Sequence, residues 1–264
     1  MTVAFGWPHR AEDIAFHARH GSGVVAEADG GVAGTAFCWP FRPGAATVGL
    51  VCVRPDQQGR GLGRLLMGAA LDQAGERTVT LFATPAGAPL YRSLGFRDAG
   101  LVWQRQGTPG PLPPPVLPPG HDMRPLEPGD GPALAGADRA GTGMAREALL
   151  AELVAESAGA VLLHLGAPVG FGLRRRFGRG EVIGPVVLTK AAPDPAAGSR
   201  ALILSLMAAR TAPFVRLDVT EDSGLSPWLE QLGLDTAYEA FRMVRGAAPD
   251  GNGRSFALVS QALG

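Results

Sequence analysis

The sequence predicts two α/β (α+β) domains in tandem, and three observations carry that prediction. An apolar, strand-forming run at 50–53 turns through a glycine-rich loop into a stretch with helical spacing from Leu62. A proline- and glycine-rich segment at 107–120 (GTPGPLPPPVLPPG) divides the 264 residues into halves of similar length. The order of elements before that segment recurs after it, as expected of an internal duplication.

In the first half, residues 12–20 read as a short helix stopped by Gly21. Residues 23–28 and 32–39 are strands, joined by the hairpin signal Asp29-Gly30-Gly31. After a turn at 40–44, residues 47–53 form the next strand. Leu62, Leu65, Leu66, Ala69 and Ala70 then fall on one face of a helix. A strand at 78–82 follows, and LYRSLGF (90–96) is a short helix closed by Gly95, with Phe96 starting a last strand.

In the second half, residues 146–155 are an amphipathic helix and 160–165 a strand that includes His164, which alternates with leucines and is expected to be half-buried packing. A turn at Gly166-Ala167-Pro168 leads to strands at 169–177 and 181–188, paired around Gly178-Arg179-Gly180. A helix at 195–209, a strand at 214–219 and a helix at 225–232 ended by Gly233 complete it. VAGTAFCWPF (32–41) lies beside VGFGLRRRF (169–177) and LYRSLGF beside WLEQLGL (228–234) in this comparison. The expected division is a first domain at 1–106, a linker at 107–120 and a second domain at 121–264.

Composition excludes several function classes. Hydrophobic residues make up 46%, enough for real cores, while Lys+Arg and Asp+Glu are both 24. Zero formal net charge argues against bulk electrostatic binding to nucleic acid or a membrane surface. Two cysteines, Cys38 and Cys52, make neither a disulfide framework nor a metal site, and both are expected to be buried free thiols. No apolar run is long enough to span a bilayer, and the N-terminal residues lack a signal-peptide core, so a cytoplasmic protein is expected.

The chemistry concentrates in Gln58, Gly59, Arg60, Gly61, Leu62 and Gly63. Glycines at alternate positions let the backbone turn its N–H groups outward at the start of a helix, an arrangement that suits phosphate. A Rossmann fingerprint requires a further glycine where Arg64 or Leu66 stands, and a Walker loop requires Gly-Lys-Ser/Thr, whereas the only lysine is Lys190. The remaining pattern, V-x-P-x-x-Q-G-x-G-x-G over 53–63, resembles motif A of the GCN5-related N-acetyltransferase (GNAT) superfamily. LYRSLGF resembles motif B of the same family.

That resemblance implies acetyl-CoA as co-substrate, no metal, and direct attack of an amine on the thioester in a ternary complex. It implies that the backbone of 58–63 holds the pyrophosphate, with Arg60 and Arg64 adding charge. Backbone N–H groups at a bulge in Val51, Cys52 and Val53 polarise the thioester carbonyl. Tyr91 stands where relatives place a general acid for the leaving thiolate, and Thr84 where they often place asparagine. The strand at 78–82 lacks the glutamate that many relatives carry there. The base is therefore left among Glu27, His9, His17, His20, water or a neutral acceptor. The acceptor itself is a small-molecule amine or a peptide, and the chain a monomer or homodimer. Trp7, Trp39 and Phe41 either wall the cleft or belong to the core. A non-catalytic acetyl-CoA sensor or interaction module is the alternative function.

The second copy departs from both motifs. Pro193, Asp194 and Pro195 replace the glycine loop, and Leu229 replaces Tyr91. Prolines have no N–H to offer, and an aspartate repels phosphate. A degenerate domain, kept for structure or acceptor binding, is expected. Arg174, Arg175, Arg176 and Arg179 read as a solvated hairpin end, or alternatively as a wall against an anionic acceptor or the CoA phosphates.

Overall fold

The structure, a computed structural model, describes residues 6–28, 30–42, 44–247 and 254–264. Residues 1–5 and the turn positions Asp29 and Pro43 lie outside the described residues. The chain runs through α1 (Ala11–Arg19), β1 (Ser22–Ala28), β2 (Gly31–Phe41), β3 (Ala45–Val53), α2 (Leu62–Ala74), β4 (Thr78–Ala83), α3 (Ala88–Ser93) and β5 (Arg97–Gly107). It continues with β6 (His121–Pro125), α4 (Gly131–Thr142), α5 (Glu147–Glu156), β7 (Ala158–His164), β8 (Ala167–Phe177) and β9 (Gly180–Leu188). Last come α6 (Pro195–Ala208), β10 (Val215–Thr220), α7 (Ser226–Gln231), β11 (Asp235–Arg245) and β12 (Ser255–Ala257).

Two compact units emerge, and they do not divide at the linker. The first holds residues 1–99 together with 241–248 and 261–264; the second holds 100–240 with 249–260. The sequence expectation of 1–106 and 121–264 therefore misses an exchange of strands. Residues 241–245 of β11 pair antiparallel with β4, Phe241 opposite Ala83 and Arg245 opposite Val79, inside the first unit. Residues 102–107 of β5 pair with β10, Val102 opposite Thr220 and Gly107 opposite Val215, inside the second. Each unit completes its sheet with a strand from the other half of the sequence.

In the first unit the strand order is β1-β2-β3-β4 and then the end of β11. Only β3 and β4 run parallel; the other pairs are antiparallel. Helix α2 buries Leu66, Met67, Ala70 and Ala74 against Ala36, Cys38, Ala46 and Val48. Small strand residues bring the helix close. Gly34 fixes the approach, since a Cβ there would stand 2.7 Å from Leu66 Cδ1 and 2.8 Å from the Cys52 carbonyl oxygen. Both cysteines are buried free thiols, and burial pushes each up to about 11, above the ordinary thiol value.

The second unit orders its strands β5-β10-β12-β9-β8-β7-β6. Helix α6 is apolar nearly all round, and its Leu202, Ile203, Leu206 and Met207 lie in one core with Leu162, Val186, Leu188 and Leu217. The elements β6, α4, β11 and β12 carry too little apolar periodicity to be read from sequence. α4, GPALAGADRAGT, is mostly small residues and is fixed from outside by the fully buried pair Asp138–Arg146, 2.7 Å apart.

Candidate active site

The loop between β3 and α2 is built by glycine conformation. Gly59 and Gly61 take left-handed φ values of +74° and +81°, which place successive N–H groups on one side as a concave nest. Gly61 is the N-cap of α2. Among the described residues, the backbone N–H groups of residues 59–64 meet no hydrogen-bond acceptor; the ladder of α2 begins with Leu65 N–H to Gly61 O, 3.1 Å. A Cβ at Gly59 or Gly61 would meet open space within 4 Å. Gln58 ties the loop to the strand, donating from Nε2 to the Val53 carbonyl at 3.0 Å.

The two arginines expected to contact phosphate are used differently. Arg60 donates to Gln57 Oε1, and Arg64 donates to Ser93 Oγ at 2.7 Å. Arg64 thereby ties α2 to α3. Leu90 closes the same joint, its Cδ2 lying 3.2 Å from where a Cβ on Gly63 would stand. Tyr91, the next residue, is buried and edge-on to Phe96, with ring centroids 6.1 Å apart. Thr84 directly follows β4, and its Oγ1 accepts from Gly87 N–H at 2.9 Å, shaping the entry to α3. Gly87 admits both neighbours: a Cβ there would stand 3.1 Å from Thr84 Oγ1 and 3.1 Å from Tyr91 Cε2. Thr84 and Tyr91 thus meet at Gly87, while α3 meets the start of α2 through Leu90 and Ser93.

The strand before the loop is irregular. Thr35 lies opposite Cys52 and Phe37 opposite Gly49, so β3 carries one residue more than β2 between these pairs. Leu50 takes φ +50°, a left-handed conformation that costs a leucine about 1–2 kcal/mol. Thr35 Oγ1 donates to the Leu50 carbonyl at 3.0 Å and holds the bulge. The pairing of β3 with β4 ends at Thr47 opposite Thr80, although β3 continues to Val53 and β4 to Ala83. Val51, Cys52 and Val53 therefore line the side of β3 on which β4 has parted from it.

The candidate bases are scattered. Glu27 is exposed near the end of β1, and His20 sits edge-on to Phe16 at the end of α1. His17 is 0% exposed; its Nδ1 faces the Asp13 carbonyl oxygen at 2.5 Å and so carries the proton. Its ring lies 6.3 Å from that of His9 and 5.9 Å from that of Trp39. Trp39 and Phe41 are buried.

The second unit repeats the frame with different contents. Helix α7 closes as α3 does: Phe96 N–H reaches the Tyr91 carbonyl at 3.1 Å, and Leu234 N–H reaches the Leu229 carbonyl at 3.1 Å. Gly95 and Gly233 both take φ +86°. At the start of α6, however, Asp194 is the N-cap, and its Oδ1 accepts from Ala197 N–H at 3.0 Å. Its own carboxylate stands at this helix end. Strands β9 and β10 pair in parallel only at residues 181–182 with 215–216, and β12 enters the gap beyond. Leu258 N–H donates to the Asp218 carbonyl at 2.9 Å, and Leu188 N–H to the Arg254 carbonyl at 3.0 Å.

The sequence reading of the arginine cluster holds for Arg176 and Arg179, which are exposed, and is corrected for the other two. Arg174 and Arg175 are 7% and 8% exposed. Arg174 pairs with Glu181, and Arg175 donates to Gly184 O at 3.2 Å and Val259 O at 3.0 Å. They are internal ties, neither a solvated end nor an open wall; burial alone drives charged side chains to find such partners. Burial works to raise the Glu181 carboxyl, but the bonds from Thr211 and Arg174 outweigh it and hold it below the ordinary glutamate value.

Among the described residues no helix is long and apolar enough to cross a membrane. None of their His, Cys, Asp and Glu side chains gather into a group of three or more that could hold a metal. Residues 19–98 and 135–257 each match the acetyltransferase (GNAT) domain family. The Bacillus subtilis (strain 168) protein YitH, described as an uncharacterized N-acetyltransferase, is 30% identical over 223 residues, covering 83% of this chain and 76% of that protein. A mycothiol acetyltransferase of Thermobispora bispora is 39% identical over 102 residues, 37% of this chain and 33% of that protein. Among solved structures, a Pyrococcus horikoshii protein assigned as an acetyltransferase superposes with TM-score 0.77 at 18% identity, covering 100% of this chain and 89% of the other. A tandem GNAT protein from the clavulanic acid biosynthesis pathway gives TM-score 0.60 at 17% identity, covering 88% and 86%. With its glycine nest, its bulged and parted strands and two family matches in one polypeptide, the chain belongs to the GNAT superfamily as a tandem N-acetyltransferase.

Proposed function

We propose that the first unit binds acetyl-CoA and transfers its acetyl group to an amine by direct attack in a ternary complex. The observation that carries this reading is the run of N–H groups at residues 59–64 that meet no acceptor among the described residues, opening a helix beside a bulged strand end. The pyrophosphate takes those donors, aided by the positive end of α2. The pantetheine arm lies where β3 and β4 part. The amine lone pair attacks the thioester carbon, and the carbonyl π pair moves onto oxygen. Backbone N–H at Val51–Val53 stabilises that oxyanion. Collapse re-forms the carbonyl and breaks the C–S bond; Tyr91 O–H gives its proton to the departing thiolate, and the proton that the amine nitrogen sheds passes through water and restores the Tyr91 phenol. The products are the amide and free CoA.

In this reading the second unit takes no acetyl-CoA. The Asp194 carboxylate stands at the helix start, β12 fills the parting of β9 and β10, and Leu229, 0% exposed, replaces the tyrosine. Its role is structural. Release of free CoA from acetyl-CoA, measured across a library of amines, is the test. Acceptor-dependent release that saturates in acetyl-CoA supports the proposal; none with any amine, despite acetyl-CoA binding, sinks the transfer.

A further inference from the structure

We propose that Thr35 is a positioning residue for the acetyl transfer. Its hydroxyl clamps the peptide unit between Leu50 and Val51 and so aims the Val51 N–H at the thioester carbonyl, in the acetyl-CoA reading above, on which this role rests.

The bulge creates the need for a clamp. Thr35 lies opposite Cys52 and Phe37 opposite Gly49, so Leu50 and Val51 together face the single residue Ala36. One peptide unit of β3 therefore falls out of the regular ladder. Leu50 holds φ +50° there, a conformation that a leucine keeps only where its surroundings fix it. The tie is Thr35 Oγ1, which donates to the Leu50 carbonyl at 3.0 Å. The unit is a trans peptide, whose C=O and N–H lie in one plane and point in opposite directions. A Leu50 carbonyl held toward β2 thus turns the Val51 N–H away from β2, to the side of β3 on which β4 has parted. Without the hydroxyl the unit is free to rotate about the ψ before it and the φ after it. The N–H then loses its aim while the paired residues on either side stay in place.

The second unit supplies an internal comparison. Its sheet carries the same irregularity: Gly172 lies opposite Val186 and Arg174 opposite Ile183, so β9 has one residue more than β8 between these pairs. This register sets Gly172 in the place of Thr35, Gly184 in the place of Leu50 and Pro185 in the place of Val51. Gly172 has no hydroxyl to donate, and Pro185 has no N–H to aim. The Gly184 carbonyl is held instead by Arg175 Nη1, at 3.2 Å. The copy that lacks the glycine nest and the tyrosine therefore lacks the clamp as well as the donor that the clamp would position. In the first unit both are present, and the hydrogen bond between Thr35 and Leu50 links them.

The experiment uses the full chain and acetyl-CoA isotope-labelled at its carbonyl carbon. Difference infrared spectroscopy reads the thioester C=O stretch in the bound state and needs no acceptor amine, while calorimetry reads acetyl-CoA affinity separately. In the wild type the stretch should lie below that of free acetyl-CoA, because an N–H aimed at the oxygen polarises the carbonyl. Thr35→Val should return the stretch to its free value, with acetyl-CoA affinity within about twofold of wild type, since the pyrophosphate contacts are untouched. With an amine that turns over, the same variant should lower kcat by about 10–100-fold at nearly unchanged KM. Thr35→Ser keeps the hydroxyl and should restore both the shifted stretch and kcat. Thr35→Ala also removes the hydroxyl and serves if the valine variant does not fold. Wild type that fails to bind acetyl-CoA would remove the parent reading and the clamp with it. Three results would overturn the clamp while acetyl-CoA binding stands: a wild-type stretch at its free value, a folded Thr35→Val that shifts it as wild type does, or a Thr35→Ser that behaves like the valine variant.

Discussion

Replacing Gly61 by aspartate would give the first unit the helix start that the second already has. Gly61 and Asp194 are the N-caps of α2 and α6, and Asp194 uses its carboxylate on an N–H of its own helix. The folded state should tolerate the change, because a Cβ at Gly61 meets open space and only φ +81° penalises it. That penalty is about 1 kcal/mol, partly offset by capping, which for a chain of this size moves the melting temperature by roughly 2–4 °C. Binding should suffer far more. A carboxylate ~4 Å from a phosphate repels it by about 1 kcal/mol in water and about 4 kcal/mol at an effective dielectric of ~20. Consuming one N–H donor removes about another 1 kcal/mol. The sum, about 2–5 kcal/mol, is a loss of roughly 30-fold to several-thousand-fold in acetyl-CoA affinity. Gly61→Ala strains the same φ without the charge and should lose less than about tenfold. Isothermal calorimetry on both folded variants measures this directly. Gly61→Asp binding within about threefold of wild type would refute the assignment of the loop.

Three further outcomes are expected. Tyr91→Phe should lower kcat by roughly 10²-fold with acetyl-CoA affinity nearly intact, read by steady-state kinetics beside calorimetry; unchanged kcat where chemistry limits would make Tyr91 a packing residue. A fragment of residues 1–106 lacks the strand that pairs with β4 and should be unfolded or aggregated by circular dichroism, whereas adding residues 235–247 in trans should restore structure. Glu181, held below its ordinary value, contributes stability that is full above the unfolded glutamate value and is lost as pH falls through the folded one. Glu181→Gln should accordingly be less stable than wild type at pH 7 and flatten the acid limb of stability against pH; a parallel acid limb would remove Glu181 from it.

What the sequence disclosed, it disclosed through local stereochemistry. Gly59 and Gly61 require left-handed backbone, and that requirement is visible in the letters. The same holds for Gly95 and Gly233, whose matched helix closures mark the duplication. Contacts between distant segments were not legible. No local signal says that residues 241–245 pair with β4, or that Ala262 rests on Gly49. Arg174 and Arg175 look like surface because charge predicts exposure, as it does correctly for Arg176; Glu181 and the carbonyls of Gly184 and Val259, which draw Arg174 and Arg175 inward, come from other strands and from the chain's end. The bonds that Arg60 makes to Gln57 and Arg64 to Ser93 were not legible either, since Ser93 lies in another helix.

The central claim is that only the first of the two duplicated folds holds acetyl-CoA. A calorimetric titration of acetyl-CoA into the full chain, repeated with Gly61→Asp, tests it most directly. One site per chain, lost or severely weakened in the variant, is the predicted result. Two equivalent sites, or a single site that Gly61→Asp leaves untouched, would contradict it.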